Sequence, residues 1–393
     1  MFELSSRDFQ AMTAFLQDMV RIPSLSTQEG EVAARLAEEM RRVGISDVRV
    51  NGIGSVIGRI GAGGGQKLLF NGHMDTVGVS DPSAWSRDPF GAEIEDGVLY
   101  GRGAVDMKGA LAAMVYAGKM LLDAGVSLDG DLYLVGVVQE EPCEGLAMRI
   151  LIEEEGLRPD LVVLGEPTNL QVSRGQRGRM EMRVTVQGKA CHSSAPHLGQ
   201  NAIYGASRLI FGLEMLADQL ANDRLLGQGS LAITHIESTA GSRNAVPDRC
   251  TFYIDRRLTL GETEAQALAE VQGVILREGL RADVEVTEYR ATSYTGYEAC
   301  QREYYPAWAM DEDHPLVQAT VRAVRRTLGY LPRVREWTFS TDGVYTMGVA
   351  GIPTVGFGPG DDRHAHTAEE QIRLDDVAAA AQVYAQLAVD LLT

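Results

Sequence analysis

Nowhere in the 393 residues is there an apolar run of the roughly 18 residues that cross a bilayer. The stretch Met1 to Gln17 mixes Glu3, Arg7 and Asp8 among its apolar residues, so neither a secretion signal nor a transit peptide is expected there. Cysteine is scarce: Cys143, Cys191, Cys250 and Cys300 are far apart and form no C-x-x-C pair. That argues against a disulfide framework or a structural zinc ribbon and points to a reducing cytoplasm. Positive charge is also short, with 36 Lys and Arg against 54 Asp and Glu and a net charge of -18. The nearest thing to a basic cluster is Arg322, Arg325 and Arg326, about one helix face, so no nucleic-acid partner is expected, since its phosphates need extended Lys/Arg surfaces. Gly52-Ile53-Gly54 and Gly61 to Gly65 match neither G-x-G-x-x-G leading into a helix nor G-K-[ST], and read as turns.

What is present is enough for two domains: 45% of the chain is apolar. Apolar residues recur at helical spacing over 7–22 and 31–43, separated by Ile22-Pro23-Ser24-Leu25-Ser26. Val48–Ile60, Leu68–Asn71, Leu132–Gln139 and Leu161–Gly165 read as strands, and Gly109–Leu122 and Gly145–Glu155 as helices, the alternation of an α/β domain. Near residue 178 the texture changes. Strands at Arg179–Gln187, Ser230–Glu237, Cys250–Leu258 and Ala282–Tyr289 alternate with helices at Asn201–Gln219 and Glu262–Glu278 in the order βαββαβ, a ferredoxin-like unit. A helix over Pro315–Leu328, a strand at Pro353–Gly356 and a helix over Asp375–Leu391 return to the first texture. The expected organisation is a catalytic domain built from 1–178 and 292–393, with a lid of 179–291 inserted between them.

Five chemistry-bearing positions follow apolar strands or lie in glycine-flanked turns. His73 and Asp75 follow Leu68-Leu69-Phe70, Asp106 lies in Gly103-Ala104-Val105-Asp106, Glu140-Glu141 ends an apolar strand, Glu166 follows Leu161-Val162-Val163-Leu164, and His366 lies near the C-terminus. In open parallel sheets the ligand crevice lies at the carboxyl ends of the strands, so these residues should converge. Two divalent metals about 3.5 to 4 Å apart need a shared carboxylate and roughly two further ligands each. His73 and Glu166 would serve one ion, Glu141 and His366 the other, with Asp106 bridging. Successive residues of an extended segment point opposite ways, which frees Glu140 from the metal side as general base. Asp75, on the same side as His73, would accept the ring's other N–H through its carboxylate and fix the tautomer. The expected chemistry is metal-assisted hydrolysis with Glu140 carrying the proton, zinc the first choice of metal and cobalt or manganese alternatives, and no organic cofactor. Plainer readings exist: a structural histidine at 73, solvated acids at 140 and 141, surface or satisfied histidines at His197, His235 and His314. The full set in one chain favours chemistry.

Asn71-Gly72-His73-Met74-Asp75-Thr76-Val77, Gly101-Arg102-Gly103-Ala104-Val105-Asp106-Met107-Lys108-Gly109, Glu140-Glu141, Gly165-Glu166-Pro167-Thr168 and Ala365-His366-Thr367-Ala368-Glu369 resemble, in order, the signatures of the M20 metallopeptidases and amidohydrolases. That family includes acetylornithine deacetylase, succinyl-diaminopimelate desuccinylase, aminoacylase and glutamate carboxypeptidase. The resemblance implies a dinuclear site beneath a lid that often dimerises, the metal, bridge and base roles above, and His366 rather than His364 as the ligand. It further implies that His192, in Gly188-Lys189-Ala190-Cys191-His192-Ser193, reaches a developing oxyanion across a homodimer, a kind of donor worth about 2.7 to 4 kcal/mol. Asn244 and Arg257 resemble residues that bind a substrate carboxylate, with Arg177 and the Gly358-Pro359-Gly360 loop as further candidates. Arg257 has the alternative of pairing with Asp255. A cis peptide after Asp106 is also implied. Gln176-Arg177-Gly178-Arg179, Tyr305-Pro306-Ala307-Trp308 and Trp337-Thr338-Phe339-Ser340-Thr341-Asp342-Gly343 resemble the selenium-metabolism hydrolase branch. The implied substrates are N-acyl amino acids or short peptides; an N-carbamoyl amidohydrolase and a non-catalytic binding protein of the same fold are the alternatives.

Overall fold

The computed structural model describes residues 2–393; Met1 lies outside it. Local sequence sets the helix ends. Ser5 caps Ser6–Arg21 by accepting from the Asp8 amide, and the apolar stripe Met12, Phe15, Leu16 and Met19 is buried along its length. Pro315 opens Pro315–Leu328 in its first turn, and Gly329, at φ 79°, ends it in the left-handed conformation that glycine adopts without strain.

The larger sheet has nine strands. At its centre Asp131–Val137, Lys67–His73, Leu161–Leu164 and Thr354–Gly356 lie side by side and parallel. Antiparallel strands extend both flanks: Val56–Ile60 and Asp47–Val50 on one, Val172–Gln176 and Trp308–Ala309 on the other. Helices Gly109–Asp123 and Leu374–Leu392 pack together against the central strands. The strand expected over 48–60 is therefore a hairpin. The side-chain oxygen of Asn51 accepts from the amides of Gly54 and Ser55, closing a turn inside the β-branched run.

The second sheet carries the βαββαβ order. Ser230–Thr239, Arg249–Leu258, Gly178–Gln187 and Ala282–Val286 lie antiparallel in that spatial order, with helices Ala202–Ala217 and Glu264–Arg277 on one face. Along Gly178–Gln187 the buried residues Met180, Met182, Val184 and Val186 alternate with polar ones, so one face makes a separate small core and the other stays polar. The strand expected to run to Tyr289 stops at Val286. Glu288–Thr292 instead pairs with Glu298–Arg302, and Tyr304–Tyr305 returns to the edge of Gly178–Gln187 as an unexpected fifth strand. Among the described residues no helix is long and apolar enough to cross a membrane.

Candidate metal centre and catalytic cleft

Three of the four central parallel strands run out at, or within four residues of, a candidate ligand, and the fourth leads into the loop that carries His366. Lys67–His73 ends on His73, Asp131–Val137 leads to Glu140 and Glu141, Leu161–Leu164 to Glu166, and Thr354–Gly356 to the loop holding His366. Asp106 comes from the turn ahead of helix Gly109–Asp123, and the Asp106–Met107 peptide is cis. His73 Nε2 lies 2.9 Å from Asp106 Oδ1 and 3.8 Å from Glu166 Oε1. His366 Nε2 lies 3.3 Å from Asp106 Oδ2 and 3.1 Å from Glu141 Oε2. Two donor groups result, one of His73, Asp106 and Glu166 and one of Asp106, Glu141 and His366, each with ligand atoms within 4.8 Å of one another and with Asp106 common to both.

The charge balance of this cluster is what divalent cations would answer. Among the described residues no Lys or Arg side chain pairs with Glu140, Glu141 or Glu166; their cationic neighbours are the two imidazoles. Burial pushes the Glu140 and Glu166 carboxyls well above the usual range and raises that of Glu141. Burial works to raise Asp106 too, but hydrogen bonds from His366 and His73 outweigh it and pull its carboxyl low. His366 is pushed up to about 10 by its hydrogen bonds to Asp106 and Glu141. Burial opposes charge on His73, yet the Asp106 hydrogen bond and surrounding carboxylates hold it well above its ordinary value. Imidazole nitrogen with carboxylate oxygen is a donor set suited to zinc and its neighbours. Glu140 Oε1 is buried with no hydrogen-bond partner, a carboxylate atom left free at the cleft.

A surrounding frame fixes these groups. The sequence-based expectation for Asp75 needs correcting: His73 Nδ1 meets the backbone carbonyl of Asp75 at 2.9 Å, while the nearest carboxylate oxygen is 3.8 Å away. The carboxylate is engaged elsewhere, accepting from Ser26 Oγ at 2.7 Å and from the amides of Glu140 and Glu141 at 3.1 and 3.2 Å. It orients the segment carrying the candidate base. Glu370, paired with Arg102, accepts from the Val105 and Asp106 amides at 3.1 Å each. Asn71 donates to Asp342, which also accepts from the Gly145 amide, each at 2.7 Å. The Trp337 indole donates to the carbonyl of Pro167, next to Glu166, at 3.1 Å. None of Glu370, Asp342 or Trp337 announces this role in sequence, because each acts on backbone far away along the chain.

The cleft above the cluster encloses about 430 Å³. Glu144, Arg179, Arg257, Phe339 and Ser340 line its walls. Arg257 is thus at the cleft, held by Asp255 at 2.7 Å. The other residues expected on substrate are elsewhere in this chain. Arg177 is turned away to donate to the Leu226 carbonyl at 2.8 Å. Asn244 is exposed, its carbonyl accepting from Ser193 at 2.8 Å. Gly358 is buried against the backbone of Gly165 and Glu166, where a side chain would not fit. His192 is exposed on the short strand Cys191–His192, its Nδ1 2.7 Å from Ser194 Oγ, and does not line the cleft. Sequence reasoning missed Glu144 and Arg179, which pair at 3.2 Å across the two sheets' domains. Their signals were faint: Glu144 lies four residues past Glu140, and Arg179 shares the polar face of its strand with Glu181 and Arg183.

A cleft floored by imidazole and carboxylate pairs at the carboxyl ends of parallel strands defines the class of metal-dependent hydrolases. The model of peptidase family M20/M25/M40 matches residues 69–390, and the chain belongs to that family, whose chemistry is amide-bond hydrolysis. Over 383 residues it is 43% identical to the uncharacterized protein YgeY of Escherichia coli (strain K12), covering 97% of this chain and 95% of that one. Its fold is similar to the M20 family metallo-carboxypeptidase Sso-CP2 of Sulfolobus solfataricus, with a TM-score of 0.76 at 20% identity over 96% of this chain and 98% of that one. It is similar also to the Bacillus subtilis YXEP protein, a dinuclear metal binding peptidase of the M20 family, with a TM-score of 0.72 at 18% identity over 99% of each. At these identities the two structures speak for the fold.

Proposed function

We propose that this chain is a dinuclear metallohydrolase that cleaves an amide bond of an N-acyl amino acid or short peptide, with Glu140 as general base. The observation that carries the reading is the pair of donor groups sharing Asp106 beside the unpartnered Glu140 oxygen. His73, Glu166 and Asp106 would hold one ion and Glu141, His366 and Asp106 the other, zinc being favoured by the donors and cobalt or manganese remaining alternatives. When bound, such ions polarise a scissile carbonyl and bring the pKa of water toward about 7. Glu140 takes the proton from the attacking water at its free Oε1 and delivers it to the leaving amine. Asp75, by holding the amides of Glu140 and Glu141, keeps base and ligand in register. Arg257 and Arg179 offer guanidinium groups to a substrate carboxylate, and Phe339 contributes an apolar wall that excludes water.

A homodimer is part of the reading. Tyr204, Phe211 and Met215 project from helix Ala202–Ala217 at 66–72% exposure, and Ser230–Thr239 leaves one edge of its sheet unpaired. His192 would then serve the cleft of the other copy, as the family resemblance implies. The free thiols suit a reducing compartment. Placement in the selenium-metabolism branch is carried by the Gln176-Arg177-Gly178-Arg179, Tyr305-Pro306-Ala307-Trp308 and Trp337-to-Gly343 stretches.

Glu140→Gln is the test of the base. Turnover of N-acetyl amino acids, dipeptides and N-carbamoyl amino acids, assayed in parallel, should vanish while metal content stays at the wild-type level; undiminished turnover refutes the role. The same panel on the wild-type protein distinguishes acyl from carbamoyl substrates.

A further inference from the structure

Gln139 stands between the end of strand Asp131–Val137 and Glu140, at φ 57°. That left-handed conformation is unfavourable for a residue with a side chain and persists only where the surroundings over-determine it. Three contacts do so. The Gln139 amide donates to Glu29 Oε1 at 3.1 Å, the next two amides are held by Asp75, and the Gln139 side-chain oxygen accepts the Tyr289 hydroxyl at 2.9 Å.

Tyr289 comes from the hairpin of Glu288–Thr292 and Glu298–Arg302, which the chain enters directly after strand Ala282–Val286 of the inserted sheet. That hairpin is anchored on the catalytic domain. The Tyr294 hydroxyl donates to the Gly54 carbonyl at 2.8 Å, and Thr295 donates to that of Gly52 at 2.6 Å. The Tyr294 ring approaches Gly54 so closely that a Cβ there would lie 2.3 Å from it, and Gly54 itself is at φ +111°. Further along the return path Gln301 donates to the Glu144 carbonyl at 3.2 Å and Tyr305 to Cys143 Sγ at 3.3 Å, while Arg179, at the entry to the inserted sheet, pairs with Glu144. Both connections to the inserted domain therefore grip the one stretch, 139–144, that carries Glu140.

We propose that Tyr289, acting through the Gln139 side chain, is a positioning residue for Glu140: its hydroxyl helps hold the strained turn that aims the carboxylate into the cleft. This rests on the reading of Glu140 as base. Tyr289→Phe removes a single oxygen and keeps the ring. Misplacement of a reacting group by about 1 Å can cost a hundredfold, and a partial loosening should lower kcat about tenfold. KM and metal content should stay at wild-type values, and amide hydrogen exchange should quicken over 139–141 but not over Asp131–Val137. Gln139→Gly, which accepts the positive φ but lacks the amide, should show a kcat loss of similar size, and the double variant should lose no more than either single one.

Wild-type kcat in Tyr289→Phe, even with a lowered melting temperature, overturns the proposal, as do losses that multiply in the double variant. The Glu140→Gln protein keeps the two readings apart. If it turns over normally, the base assignment fails; if it is inactive while Tyr289→Phe is fully active, the positioning role alone fails.

Discussion

Gly358→Ala tests how the metal-side backbone is packed, and its effect can be worked from the structure. An ideal Cβ on Gly358 would lie 2.2 Å from the Gly165 carbonyl oxygen and 2.4 Å from that of Glu166, whereas real Cβ atoms essentially never approach within 3.0 Å. One side has to retreat by at least about 0.8 Å in an interior packed as densely as a crystal. Gly358 cannot easily yield, because its amide and carbonyl are both bonded to Thr168 Oγ1 at 3.0 Å. The displacement therefore falls on Glu166. Overpacking of this kind costs about 1 to 3 kcal/mol of stability. A shift approaching 1 Å at a proposed ligand should reduce kcat by about ten- to a hundredfold. Metal per chain after dialysis, kcat, KM and thermal unfolding are the measurements, and the variant should lose metal and kcat together while KM moves little. Full metal content and kcat within about twofold of wild type, with only KM raised, would refute the packing argument and return Gly358 to the substrate.

Two other expectations concern pH and assembly. In the metal-free protein Asp106 and Glu141 hold the His366 pKa at about 10, so at neutral pH its ring carries a proton that a cation must displace. Below that pKa the proton competes, so apparent metal affinity should strengthen as pH rises from about 6 to about 8, by up to about tenfold per unit for each proton released; a flat titration would contradict the assignment of His366. Replacing the exposed Phe211 by Asp should convert a sedimenting dimer into monomers of unchanged melting temperature; a wild-type protein that already sediments as a monomer at micromolar concentration would remove the dimer from the account.

The sequence was most legible where function sits on regular elements. His73, Glu141 and Glu166 lie at or just beyond the ends of parallel strands whose apolar residues declare them, and their convergence followed from the sheet rule, whereas His366, in the loop beyond Thr354–Gly356, was singled out by its likeness to the family motif. Pro315–Leu328 was readable to the residue because proline and glycine punctuate both ends. Val172–Gln176 was not read as a strand, since its buried Ser173 and Gln176 look like loop residues until Gln176 is seen bonded to Ser340 and Thr341. Asp75 shows the limit of spacing arguments. Two residues' separation does bring it beside His73, but which oxygen faces the ring depends on amides of a neighbouring strand exit. Arg177, Asn244 and His192 came from likeness to family segments and not from spacing, and this chain does not bring them to the cleft.

Anomalous scattering from zinc-loaded crystals tests the central claim most directly. Two peaks per chain are expected, one against His73 and Glu166 and the other against Glu141 and His366, with Asp106 touching both. A single peak, or ions bound away from Asp106 in protein saturated with metal, would contradict it.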